Sequence, residues 1–119
     1  MFLTSSHLRF FLYSQHTDMR KGFDGLYGLV STRLQEDPLS GDVYVFLNRR
    51  RDRMKMLFWD GTGFWIFYKR LERGTFQRPR ISSDNTLFLP YEEIVMMIEG
   101  IDLDTVKRRK RYIKKPLAA

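Results

Sequence analysis

The chain has 119 residues, 43% hydrophobic and 29% charged, with no cysteine and a formal net charge of +7. That length fits one domain with its own core, and the missing cysteines exclude disulfides and thiolate zinc sites. The longest apolar runs, "VYVFL", "FWIFY" and "IVMMI", are five residues each, against about 20 for a membrane span. His7 and Arg9 interrupt the apolar region that a signal peptide would need, so a soluble, cytoplasmic protein is expected.

In chain order, "LRFFLYS" reads as a first strand. "TDMRKGFDGLYGLV" follows, with Thr17 and Asp18 placed as N-caps and Phe23, Leu26, Tyr27, Val30 and Leu34 at the spacing of a buried helical stripe. Gly22, Gly25 and Gly28 recur every third residue beside that stripe. Their spacing is neither G-x-G-x-x-G nor that of an ATP-binding loop, so no phosphate cradle is predicted. An interior glycine costs a helix about 1 kcal/mol relative to alanine. The ridge is therefore expected to face another backbone, this chain's own sheet first and a partner protein second.

"QEDPLSGD" is a loop by composition. "VYVFLN", "RMKMLFWD" and "FWIFYKR" then read as three strands in antiparallel hairpins, joined by "RRRD" and "GTG", and "TLFL" as a further strand. "PYEEIVMMIEG" is a short helix, with Pro90 in its first turn, Glu92 and Glu93 near its positive end and Gly100 as its stop. Tyr91, Ile94, Val95 and Ile98 are its predicted buried stripe. The expected fold is α+β: a small antiparallel sheet of four to five strands with two helices packed on it. Residues 1–106 would form a single domain, and residues 107–119 a basic tail, helical or disordered.

The charge is unevenly placed. "KRRKRYIKK" holds seven of the 21 basic residues and no acid, so residues 1–106 sum to zero. Within them residues 49–80 carry +7 and residues 81–106 carry −6. Such segregation suggests a polyanionic partner, with a solvated tail as the plainer alternative. Candidate DNA contacts are Arg49, Arg50, Arg51, Arg53, Lys55, Lys69, Arg70 and Arg73, together with Lys107, Arg108, Arg109, Lys110, Arg111, Lys114 and Lys115 of the tail.

The central strands are apolar on both faces. A three-residue "GTG" loop would pair Trp59 with Trp65, Leu57 with Phe67 and Lys55 with Lys69, whereas a two-residue loop would scramble that set. Trp59 and Trp65 could then form a stacking platform or partner surface. The other reading is a sheet covered on both sides, or buried in a dimer. In the covered case Trp65→Ala would cost about 3–5 kcal/mol.

"TDMRKGFDGLYGLV" followed by "DPLSGDVYVFLNRRRDRMKMLFWDGTGFWIFYKRLERGTF" closely resembles the TnpB accessory-protein family of bacterial transposons of the insertion-sequence-66 group, encoded by the second open reading frame. The likeness covers nearly the whole chain and ends in a similar "EGID…KRRKRY". It implies a protein needed for full transposition of the element beside a separately encoded acid-triad transposase. The same symbol labels RNA-guided nucleases of other elements, but this chain is far shorter and lacks their zinc-binding cysteines.

Catalysis is not expected, nor is a metal or other cofactor. Two-metal chemistry needs clustered carboxylates, and Asp18, Asp24, Asp42, Asp52 and Asp60 qualify by type only. Asp42 and Asp60 fall in turn contexts, and Asp52 lies among arginines that would pair with it. His7 and His16 offer no ligand spacing, and Ser40 is outside a G-x-S-x-G elbow. The expected partners are DNA and the transposase and other proteins of the same element, with no membrane. Two functions remain open: a DNA-binding accessory factor, or an adaptor that docks the transposase without touching DNA.

Overall fold

The computed structural model of the chain describes residues 7–77 and 84–99, with backbone alone at 101–102 and 107–108. In order, the elements are β1 (Phe10–Tyr13), α1 (Phe23–Thr32), β2 (Val43–Leu47), β3 (Arg53–Trp59), β4 (Phe64–Arg70), β5 (Thr86–Leu89), α2 (Tyr91–Glu99), β6 (Ile101–Asp102) and β7 (Lys107–Arg108). The first five strands form one sheet in the order β4-β3-β2-β1-β5, and β6 and β7 form a separate antiparallel pair. The α+β class is as expected. The sheet, however, is mixed: β1 and β2 run parallel, Phe10 opposite Val43, because α1 carries the chain back between them. The bidentate ion pair Arg9–Asp42, 2.9 and 3.0 Å, clamps the starts of these two strands, so Asp42 is a structural anchor more than a turn residue.

Each face of the sheet carries one helix. On one face Leu26, Val30 and Leu34 pack against Tyr13, Tyr44, Phe46 and Leu57. On the other, Ile94 and Met97 of α2 join Phe10, Val45, Met54, Met56, Phe58 and Phe76. The sheet is thus covered on both sides, which accounts for the doubly apolar β2 and β3. In α2 Met97 takes the buried place expected of Val95, which is 36% exposed.

The β3–β4 turn sets the register. The Asp60 amide donates to Gly63 O at 3.1 Å, and Gly61 has φ +99°, so the loop is the two-residue Gly61–Thr62 with a left-handed glycine leading it. Trp59 therefore lies opposite Phe64, Phe58 opposite Trp65 and Lys55 opposite Tyr68. This corrects the expected pairing by one residue and sends the two tryptophans to opposite faces. No shared tryptophan platform forms. Trp65 is 49% exposed and donates its indole N–H to Asp60 Oδ2 at 2.7 Å. The half-exposed ring replaces the expected core residue, and Trp65→Ala should cost about 1–2 kcal/mol in urea denaturation, below the usual cost of deleting a core aromatic.

Asp60 also accepts from the Thr62 amide, the Thr62 hydroxyl and the Gly63 amide. These bonds, the Thr62 amide first and the Trp65 indole next, hold its carboxyl well below the usual carboxylate range. A depressed folded value means that the turn's support is complete above the unfolded value of about 3.9 and fades only as pH falls through the lower folded one. Tryptophan fluorescence on acid titration should stay flat until well below pH 4, roughly that unfolded value. In Asp60→Asn this late acid step should be missing.

Helix α1 begins later than expected. Gly22 is its N-cap, with no side-chain cap bond. Asp18 instead accepts from the Arg20 backbone and guanidinium, and Arg20 lowers its carboxyl to about 2. The glycines do not meet the sheet: a Cβ at Gly22 or Gly28 would find nothing within 4 Å, and at Gly25 it would meet only the Lys21 side chain, at 3.0–3.5 Å. Phe23 and Tyr27, expected inside, are 51% and 40% exposed. The helix is held by its buried Leu26 and Val30, with Leu34 just past its C-cap, each worth about 1.5–3 kcal/mol, in spite of its glycines. Gly28→Ala should then raise stability by about 0.5–1 kcal/mol in urea denaturation.

Candidate nucleic-acid interface

Parallel pairing brings the ends of β1 and β2 to one end of the sheet. The β2–β3 hairpin, the loop after β1 and the loop after β4 meet there. Asn48 builds the hairpin tip: its Oδ1 accepts from the amides of Asp52 and Arg53, both at 3.0 Å, and its Nδ2 donates to Asp52 Oδ1 at 2.7 Å. Asp52 is therefore held by Asn48 and not by the arginines expected to pair with it. Arg51 sits at φ +58°, a left-handed conformation that tightens the tip.

Three backbone bonds tie the loops together. Thr17 N donates to Leu47 O at 2.8 Å, Leu71 N to Asp52 O at 2.7 Å, and Phe76 N to Arg51 O at 2.6 Å. Arg73 lies between the last two anchors. Arg49, Arg50, Arg51 and Arg73 are all exposed. Among the described residues none of the four enters an ion pair. Arg49 touches His16 Nε2 at 3.4 Å. A cleft of about 220 Å³ opens beside that contact, lined by Tyr13, Ser14, His16, Asn48, Arg49 and Arg51 among others.

Other candidate cations are engaged by partners within the chain, one of them buried. Lys55 is 8% exposed, and its ammonium donates to Met19 O at 2.7 Å and Lys21 O at 2.8 Å while lying 4.7 Å from the Tyr68 ring centroid. Its place on the sheet face under the α1 side removes it from the DNA-contact set. Arg53 donates to the Tyr68 hydroxyl, Lys69 to Ile98 O at the end of α2, and Arg70 pairs with Glu72. The Lys69 bond satisfies a C-terminal helix carbonyl. Lys107 and Arg108 lie on β7, a strand where a helix or disorder was expected, while Arg109, Lys110, Arg111, Lys114 and Lys115 lie outside the described residues.

His16 and the loop after β1 were missing from the sequence-based set. The signal was the strand–helix–strand order, which allows a parallel pair and so a shared strand end. Among the described residues no group of three or more histidine, aspartate or glutamate side chains could hold a metal, and no helix is long and apolar enough to cross a membrane.

Fold and site together define a small α+β protein that gathers arginines at one end of a mixed sheet. The family described as IS66 Orf2 like protein, TnpB_IS66, matches residues 8–108, and the chain belongs to it. It is similar to uncharacterized protein y4jC of Sinorhizobium fredii (strain NBRC 101917 / NGR234), with 38% identity over 112 residues covering 94% of this chain and 93% of the relative. Uncharacterized protein y4hO of the same strain is 33% identical over 102 residues, 86% of this chain and 88% of its own. No solved structure matches the chain. Membership in this family supports an accessory role in transposition.

Proposed function

We propose that the protein is a non-catalytic, cytoplasmic accessory factor of transposition that binds DNA beside a separately encoded transposase. The observation that carries this reading is the cluster of Arg49, Arg50, Arg51 and Arg73, exposed and without ion pairs among the described residues. Guanidinium groups grip phosphate through paired N–H donors, and the hairpin bonds hold three of them on a short, fixed tip. Lys69 meets the end of α2 near the same end of the sheet, and its charge adds to the same field. Phosphate contacts would position the protein without reading bases.

The test is fluorescence anisotropy with labelled duplex DNA at about 50 mM salt, set against co-purification with the transposase at high salt. Binding at low salt that fades as salt rises supports the DNA reading. Co-purification without DNA binding supports the adaptor reading, which the exposed Phe23 and Tyr27 on α1 favour.

A further inference from the structure

We infer that β4 is a self-complementary edge through which two copies of the chain join into one continuous sheet. β4 is terminal in the sheet order, and its seven residues pair without a bulge to β3. Natural edges are commonly blunted by charge, proline, bulges or shortness. The opposite edge, β5, follows that rule, with only four residues, Thr86–Leu89, and Pro90 directly after them. β4 carries charge only at one end, Lys69 and Arg70: Phe64 to Tyr68 is uninterrupted aromatic and aliphatic sequence, and Trp65 and Tyr68 are each 49% exposed.

The ladder fixes which backbone groups face outward. Asp60 and Gly63 form a hydrogen-bonded pair, and so do Asp52 and Leu71. Alternation along an antiparallel ladder then directs the amides and carbonyls of Phe64, Ile66, Tyr68 and Arg70 away from β3. A second copy docked antiparallel about Phe67 pairs Phe64 with Arg70, Ile66 with Tyr68, Trp65 with Lys69, and Phe67 with itself. Outward groups meet outward groups, and this is the one register that uses all seven residues. The basic end of each strand lies over the aromatic end of the other, where cation–π contact is favourable, and no cation faces a cation. That charge complementarity selects a second copy over a foreign strand. Lys69 and Arg70 belong to this interface, and Arg49, Arg50, Arg51 and Arg73 stay outside it.

Sedimentation equilibrium of the full chain should show a reversible monomer–dimer mixture that shifts to dimer with concentration. Trp65→Lys places an ammonium against Lys69 of the second copy, twice per dimer, and should yield monomer, whereas Trp65→Glu should keep the dimer. In this cysteine-free chain Phe67→Cys should form a disulfide-linked dimer under mild oxidation, because a non-hydrogen-bonded pair sets Cα atoms about 4.5 Å apart, within disulfide reach. Thr62→Cys, in the turn beyond the strand, should not. A wild-type chain that is monomeric at every concentration would overturn the proposal. So would Trp65→Lys dimerising as well as wild type, or Thr62→Cys cross-linking as readily as Phe67→Cys.

Discussion

Lys55→Met should lower stability by about 2–3 kcal/mol, the range for losing a charged donor to buried acceptors, and should leave the salt dependence of DNA binding unchanged. The side chain sits in β3 at 8% exposure, and its ammonium satisfies two carbonyls of the loop that leads into α1. Methionine replaces the stem and keeps the packing, so what is lost is the donor. Met19 O and Lys21 O then lose their Lys55 partner, and the loop that positions Thr17 and His16 loosens. Urea denaturation measures the first effect and anisotropy across a salt series the second. A Lys55→Met protein of wild-type stability with a flatter salt slope would return Lys55 to the phosphate contacts.

Changing Arg49, Arg50 and Arg51 to alanine should do the opposite. Each phosphate neutralised on duplex DNA contributes about −0.9 to the slope of log affinity against log salt, so three lost contacts flatten it by roughly 2–3 units. Affinity should fall alike for all sequences, since phosphate contacts carry no base information. Stability should move by less than about 0.5 kcal/mol, because these exposed side chains make no ion pair among the described residues. Alanine at Arg51 adds no new strain, since a Cβ already stands there at φ +58°.

Strand and helix identities were legible because the apolar periods of "FWIFYKR" and "TLFL" are short and cleanly bounded, and both strands lie where read. The register was not. It turns on whether "GTG" is a three-residue loop or donates its last glycine to the ladder, and the Asp60 side chain decides that by binding Thr62 and Gly63. The slip moved Trp65 away from Trp59 and set Lys55 against Tyr68. Composition showed three adjacent arginines as a hairpin tip. It could not show that Lys55, two residues beyond Arg53, turns inward to backbone carbonyls 34 and 36 residues earlier in the chain. The glycine ridge misled for a related reason: spacing places glycines on one helical face but does not say what that face meets. The parallel β1–β2 pair, which brings His16 to the arginines, was allowed by the strand–helix–strand order, but its register rests on long-range contacts such as Arg9–Asp42 that no local pattern encodes.

The most direct test of the central claim is an amide chemical-shift titration of isotope-labelled protein with short duplex DNA at low salt. The account predicts that the perturbed amides cluster at Gln15 and His16, Asn48 to Arg53 and Leu71 to Phe76, while Gly61 to Gly63 and Gln35 to Asp42, at the other end of the sheet, stay unmoved. Perturbations centred on that other end, or none at all at low salt, would contradict it.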